Sequence, residues 1–202
     1  MKVKDITIRG PMALFICLTV ITILCIGFVS VKVDQVRKFK QEAYDIMMKQ
    51  YWPNPAHRIV FNQRVKELDL DWKLSLAVRE EESHGDQYAY SSAKARGYYQ
   101  LMYATAKDLC ETYSIDFRGK MSIYDGANNI FMGLAHLNHC VDTYGDQLGI
   151  EMYNVGYGKY FKRGIRNRKY VEDVMSRLKK IEAEYDDVLT AVKDKHKVEN
   201  KI

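Results

Sequence analysis

From residue 56 to about 180 the apolar positions recur at helical spacing, and no run alternates with a period of two. That pattern restricts the stretch to a mainly α domain. Pro53-Asn54-Pro55 stands just before it and breaks any helix arriving from the N-terminal side, because proline removes a donor and disfavours helix in the residue ahead of it. Further upstream, Pro11 to Val31 contains no charged residue. A run of about 20 apolar residues spans a bilayer as a helix. Lys2, Lys4 and Arg9 precede it against a single Asp5, so the positive-inside tendency puts the N-terminus in the cytoplasm and the rest outside. Lys32, Arg37, Lys38 and Lys40 after the span work against that bias. No small-x-small cleavage site follows, since Phe28 holds a key position, and the span is expected to stay as an uncleaved signal anchor.

The expected organisation is a cytoplasmic tail (1–10), a transmembrane anchor (11–31), a polar helical stalk (32–55), a helical domain (56–181) and a charged helical tail (182–202). Lys193 to Lys201 are expected to fray. Hydrophobic residues make up 47% of the chain, so wholesale disorder is excluded. The net charge of +5 is too small to argue for nucleic acid and suits an anionic polymer better. Of the four cysteines, Cys17 and Cys25 fall in the apolar span and read as apolar filler. Cys110 and Cys140 fall in the helical domain. They read either as a disulfide or as two separately buried side chains, because sequence alone does not give their Cα separation.

One helix is expected to begin near Asp71-Trp72 and lead to a run of acids. With Val78 as reference and about 100° per residue, Leu74 lies about 40° to one side and Glu82 about 40° to the other. Glu81 falls near −60° and Glu80 near 200°, roughly opposite. Glu81 and Glu82 therefore continue the apolar face, and Glu80 is expected in solvent. Burial and a neighbouring negative charge both favour a protonated carboxyl, which is what a general acid needs. Further helices are expected over about 125–144, 147–153 and 169–181. The first carries the stripe Ile130, Leu134, Leu137, Val141 and Tyr144, with Gly133 marking a close approach of another helix or a ligand. The last carries Val171, Val174, Met175 and Leu178.

Several blocks, in order, resemble the soluble lytic transglycosylase domain family, which has a lysozyme-like fold and cleaves peptidoglycan. Glu82-Ser83 resembles the family's Glu-Ser. Gly97-Tyr98-Tyr99-Gln100-Leu101-Met102 resembles its Gly-Leu-Met-Gln block, and Ala104-Thr105-Ala106 its Ala-Thr-Ala. Asn129 and Gly133 match Asn-x-x-x-Gly, Tyr153-Asn154-x-Gly156 resembles Ala-Tyr-Asn-x-Gly, and Tyr170-Val171 the closing Tyr-Val. The chain departs from the pattern at Tyr98-Tyr99, Lys94, Tyr103 and Met152, changes that bear on subsite shape more than on the reaction.

The resemblance implies a lysozyme-like helical domain of the lytic transglycosylase type; preceded by the one N-terminal transmembrane helix read from the apolar run, it is expected at the cytoplasmic membrane with its catalytic domain on the extracytoplasmic side. It implies cleavage of the β-1,4 bond between N-acetylmuramic acid and N-acetylglucosamine. Glu82 is the one catalytic acid, then base, and the product is a 1,6-anhydro ring. Ser83, Tyr99, Gln100, Met102, Asn129, Tyr153 and Asn154 are the expected substrate-binding residues. Among these, Ser83 is expected to orient Glu82 or cap the helix end, and Tyr153 to stack on a sugar or hold Glu82. Asn129 reads more as a structural amide facing the cleft than as a chemical participant. Tyr98, Tyr99 and Tyr103 are candidate sugar platforms. No cofactor or metal is implied, and His84, Asp86, His136 and His139 supply no complete ligand set. The implied partners are peptidoglycan glycan strands, the inner membrane and envelope-complex proteins, not nucleic acid. Two other readings stay open: a lysozyme-like hydrolase, and a non-catalytic peptidoglycan-binding scaffold. The basic run Lys159 to Lys169, with six Lys/Arg and no acid, reads as a site for anionic polymer or lipid headgroups, or as a solvated loop.

Overall fold

The computed structural model describes the backbone of residues 9–199 and the side chains of Thr22 and residues 29–199. Nine helices are described: α1 (Arg9–Tyr51), α2 (Pro55–Glu67), α3 (Trp72–Ser83), α4 (Tyr103–Thr112), α5 (Lys120–Tyr124), α6 (Gly126–Tyr144), α7 (Asp146–Val155), α8 (Tyr157–Arg163) and α9 (Arg168–Glu199). The chain divides into two compact units, residues 45–188 and a second made of the two terminal portions, 1–44 with 189–202.

Local chemistry sets the helix ends of the larger unit. Asn54 caps α2, its Oδ1 accepting from the N–H groups of Ala56 and His57, and Pro55 takes the first helical position where no donor is needed. Asp71 caps α3 by accepting from the Lys73 N–H. Asp125 caps α6 through the Asn128 N–H. α3 buries six consecutive residues, Leu74 to Arg79, and α6 buries nine. Both are core helices covered on nearly every side rather than amphipathic surface helices. α2 packs on α6 through His57, Phe61 and Val65.

The expected stalk gives its last turns to this unit. Met47 and Met48 are fully buried, and Trp52 packs on Phe61 and Tyr98. The arriving helix completes the core, which the proline break at 53–55 concealed. The expected helix near 169–181 runs instead to Glu199. Its end does not fray through 199: Lys195 and His196 both bond Glu42, and Phe39 stacks on His196 at 5.1 Å, inside the smaller unit. Residues 200–201 lie outside the described residues. Cys110 and Cys140 are separate buried thiols, with Cys110 Sγ 3.4 Å from Met132 Sδ. Among the described residues no helix is long and apolar enough to cross a membrane. The span expected over 11–31 falls almost wholly on side chains outside the described residues.

Candidate active site

α3 ends at the acid. His84 takes a left-handed conformation (φ 50°) directly after Ser83, and its ring nitrogen bonds the Glu80 carbonyl. The helix stops one turn past Val78 and presents Glu82 at its mouth. Ser83 Oγ donates to the Tyr98 carbonyl at 2.8 Å, tying the helix end to the loop over residues 84–102. Ser83 thus clamps the loop; the structure gives it no bond to Glu82.

That loop folds on itself before it meets the site. Arg96 and Leu101 exchange backbone bonds, and Gln100 donates both side-chain hydrogens, to the carbonyls of Ala89 and Gly97. Gln100 itself sits at φ 46°, a left-handed conformation that costs about 1–3 kcal/mol in a non-glycine residue. With its donors used, only Oε1 is left to face a ligand.

α6 supplies the floor. Asn129 is fully buried; its Oδ1 accepts from the Tyr99 N–H at 2.9 Å, and its Nδ2 donates to the carbonyls of Arg96 and Ile123. Gly97 (φ +78°) leaves room for this amide, since a Cβ there would lie 2.2 Å from Asn129 Nδ2. Gly133 plays the same part for the Tyr99 ring, which a Cβ would approach to 2.3 Å. The close approach expected at Gly133 is therefore Tyr99, neither a helix nor a ligand.

Two expected substrate contacts are corrected by burial. Tyr99 and Asn129 have no exposed surface, so their side chains build the floor and cannot touch a sugar. Tyr98 is likewise packed, its hydroxyl on His57 Nδ1 at 3.1 Å and its ring beside the Arg79 guanidinium. Of the three tyrosines proposed as platforms only Tyr103 is exposed, and its ring edge meets Phe117. Glu80 is not free in solvent either, because it pairs with the buried Arg79.

A cleft of about 330 Å³ opens above this floor. Of the expected residues Glu82, Gln100, Met102, Tyr153 and Asn154 line it. Tyr153 is held by its own hydroxyl, which donates to the Tyr99 carbonyl at 2.7 Å, and it does not hold Glu82. The residue that does is Tyr170, from the first turn of α9, whose hydroxyl donates to Glu82 Oε1 at 2.6 Å. Sequence reasoning passed over this contact; its one signal was the closing Tyr-Val block. His136 on α6 also lines the cleft, with its ring 5.0 Å from that of Tyr153. Burial and the neighbouring His139 lower its pKa to about 4, so the imidazole is neutral.

Burial pushes the Glu82 carboxyl up from the ordinary 4.5 to about 7; the Tyr170 hydrogen bond opposes the rise, and the Glu81 charge adds to it. Glu81 in turn is paired with Arg177 of α9. Glu82 is therefore the only carboxylate among the residues lining the cleft, poised to gain or lose a proton near neutral pH.

Residues 59–174 match the family described as the transglycosylase SLT domain. The chain is 34% identical over 116 residues to a protein of Haemophilus influenzae described as a soluble lytic murein transglycosylase, covering 55% of this chain and 19% of that one. It is 32% identical over 105 residues to the membrane-bound lytic murein transglycosylase F 1 of Alkalilimnicola ehrlichii, covering 52% and 21%. The chain thus spans about a fifth of the length of these relatives. Its fold is similar to the X-ray structure of an inactive glutamate-to-glutamine mutant of the lytic transglycosylase Slt of Pseudomonas aeruginosa. That match has a TM-score of 0.56 at 22% identity and covers 76% of this chain and 31% of the other.

Proposed function

This chain belongs to the transglycosylase SLT domain family, matched over residues 59–174, and from that membership we propose that it is a peptidoglycan lytic transglycosylase. The observation that carries the reading is Glu82: a single half-buried carboxyl with a pKa of about 7, held by Tyr170 in a cleft lined by no other acid. Most glycoside hydrolases place a second carboxylate about 5–9.5 Å from the first, to attack or to activate water. With only one carboxylate in the cleft, the substrate must supply the remaining chemistry.

In the proposed sequence Glu82 begins protonated and gives its proton to the oxygen between N-acetylmuramic acid and N-acetylglucosamine. The glycosidic bond breaks toward that oxygen, and the substrate's own acetamido group stabilises the cationic centre. Glu82, now ionised, takes the proton of the muramyl 6-hydroxyl, whose oxygen closes the 1,6-anhydro ring. The acid is restored without water being consumed. Tyr170 favours the ionised form that appears midway, and burial favours the protonated form at either end; a pKa near 7 balances the two.

The uncharged run from Pro11 to Val31, with Lys2, Lys4 and Arg9 ahead of it, supports attachment to the cytoplasmic membrane with the cleft on the extracytoplasmic side. A membrane-bound name among the relatives agrees with that reading.

The test is the full-length chain in detergent, incubated with purified peptidoglycan beside its Glu82→Gln variant, with products read by mass spectrometry. Anhydro-muramyl products from the parent alone are expected. Products heavier by one water would assign a hydrolase, and no product from the folded parent would leave a glycan-binding scaffold.

A further inference from the structure

Lys159 is a wall residue of the same cleft that holds Glu82. It opens the run to Lys169 that contains six cations and no acid. Two of the six have settled roles. Lys169 pairs with Asp173, and Arg166 lies over the Tyr160 ring at 3.5 Å while donating to the carbonyls of Tyr160 and Ile165. Lys159, Lys162, Arg163 and Arg168 form no ion pair with another described residue. Nor does Lys159 serve Glu82, whose charge is influenced by Tyr170 and Glu81.

The run is fixed to the site. Asn167 donates its backbone N–H to Glu151 at 2.7 Å and its side-chain amide to Asn154 at 2.8 Å, and its Oδ1 accepts from the Tyr170 N–H. Asn154 lines the cleft and Tyr170 holds the acid, so the basic segment hangs between two groups of the active site. Unpaired cations held in place at a cleft mouth point to an anionic feature of whatever enters the cleft. A bilayer surface cannot reach into a cleft of about 330 Å³, whereas a substituent on a glycan can.

We propose that Lys159, with Lys162 and Arg163 behind it, reads carboxylate groups carried on the lactyl arm of the muramic acid residue. This rests on the glycan-cleaving reading above. Two sources present that chemistry: the free lactyl carboxylate of a bare strand, and the carboxylates of an attached stem peptide.

Binding is measured by calorimetry on the full-length chain in detergent, carrying Glu82→Gln so that ligand is not consumed. The ligands are a stem-bearing glycan fragment, the same fragment stripped of peptide by an amidase, and neutral chitohexaose. Lys159→Gln is expected to weaken binding of the anionic fragments about tenfold, to flatten their salt dependence, and to leave chitohexaose unchanged. Lys159→Arg is expected to restore binding. A loss confined to the stripped fragment assigns the lactyl carboxylate, and one confined to the intact fragment assigns the stem. Unchanged binding of both anionic fragments overturns the proposal. So does an equal loss on chitohexaose, which would make Lys159 a support of cleft shape. A parent chain that binds none of the three ligands sinks the glycan reading itself.

Discussion

Replacing Glu82 by Gln should stabilise the folded protein, and by an amount that depends on pH. The folded carboxyl has its pKa raised from the ordinary 4.5 to about 7 by burial. Between those two values the folded state holds a proton that the unfolded chain has released, so the parent loses stability as pH rises from about 4.5 and levels off above about 7. The difference of about 2.5, at about 1.4 kcal/mol each, sets an upper bound of about 3.5 kcal/mol for the strain of the ionised carboxylate at pH 8. The side chain is partly open to the cleft, so about 2 kcal/mol is the expected figure. Gln has the same shape, accepts the Tyr170 hydrogen bond and never ionises, so it is free of this strain at every pH. At about 2–4 °C per kcal/mol for a domain of this size, the variant should melt about 4–8 °C above the parent at pH 8 and within about 1 °C of it at pH 4.5. Thermal melts of both proteins by circular dichroism across pH 4.5 to 8.5 give the curve. A melting difference that stays constant across that range would refute the reasoning, because it would mean that Glu82 titrates alike folded and unfolded.

Tyr170→Phe removes the one hydrogen bond that favours ionised Glu82, so the alkaline limb of kcat/KM against pH should move to higher pH and the rate at neutral pH fall about tenfold; turbidity clearance of peptidoglycan measures both. Asn129→Ala leaves the Tyr99 N–H and the Arg96 and Ile123 carbonyls buried without partners, and should cost about 3 kcal/mol in urea unfolding with activity lost through the floor of the cleft. Gly133→Ala should destabilise by about 1–3 kcal/mol, because its Cβ meets the Tyr99 ring from beneath. Cys110 and Cys140 should both be alkylated in denatured, unreduced protein and resist alkylation when folded, as seen by peptide mapping.

What was legible in the sequence was what local periodicity can carry. The starts of α3 and α6, with Asp71 and Asp125 as their caps, follow from short-range chemistry. Glu82 on the inner face of α3 follows from angular spacing alone. The family blocks located the loop and the floor around it. What could not be read was which side of each residue would be covered. Tyr99 and Gln100 are neighbours in one block, yet one ring lies sealed on Gly133 while the other side chain lines the cleft. No period separates them, because the chain there is neither helix nor strand.

The deeper division lies at Glu82 itself. Sequence determined that an acid would stand at the end of a buried helix, and so the direction in which its pKa would move. Only tertiary structure decided the balance: α9 returns from 88 residues away to set the Tyr170 hydroxyl on the carboxylate, and two turns further along it Arg177 engages Glu81. These contacts join segments remote in the chain. Their geometry comes from how α3, α6, α7 and α9 close around one core, which side-chain volumes and packing settle together and no single segment encodes.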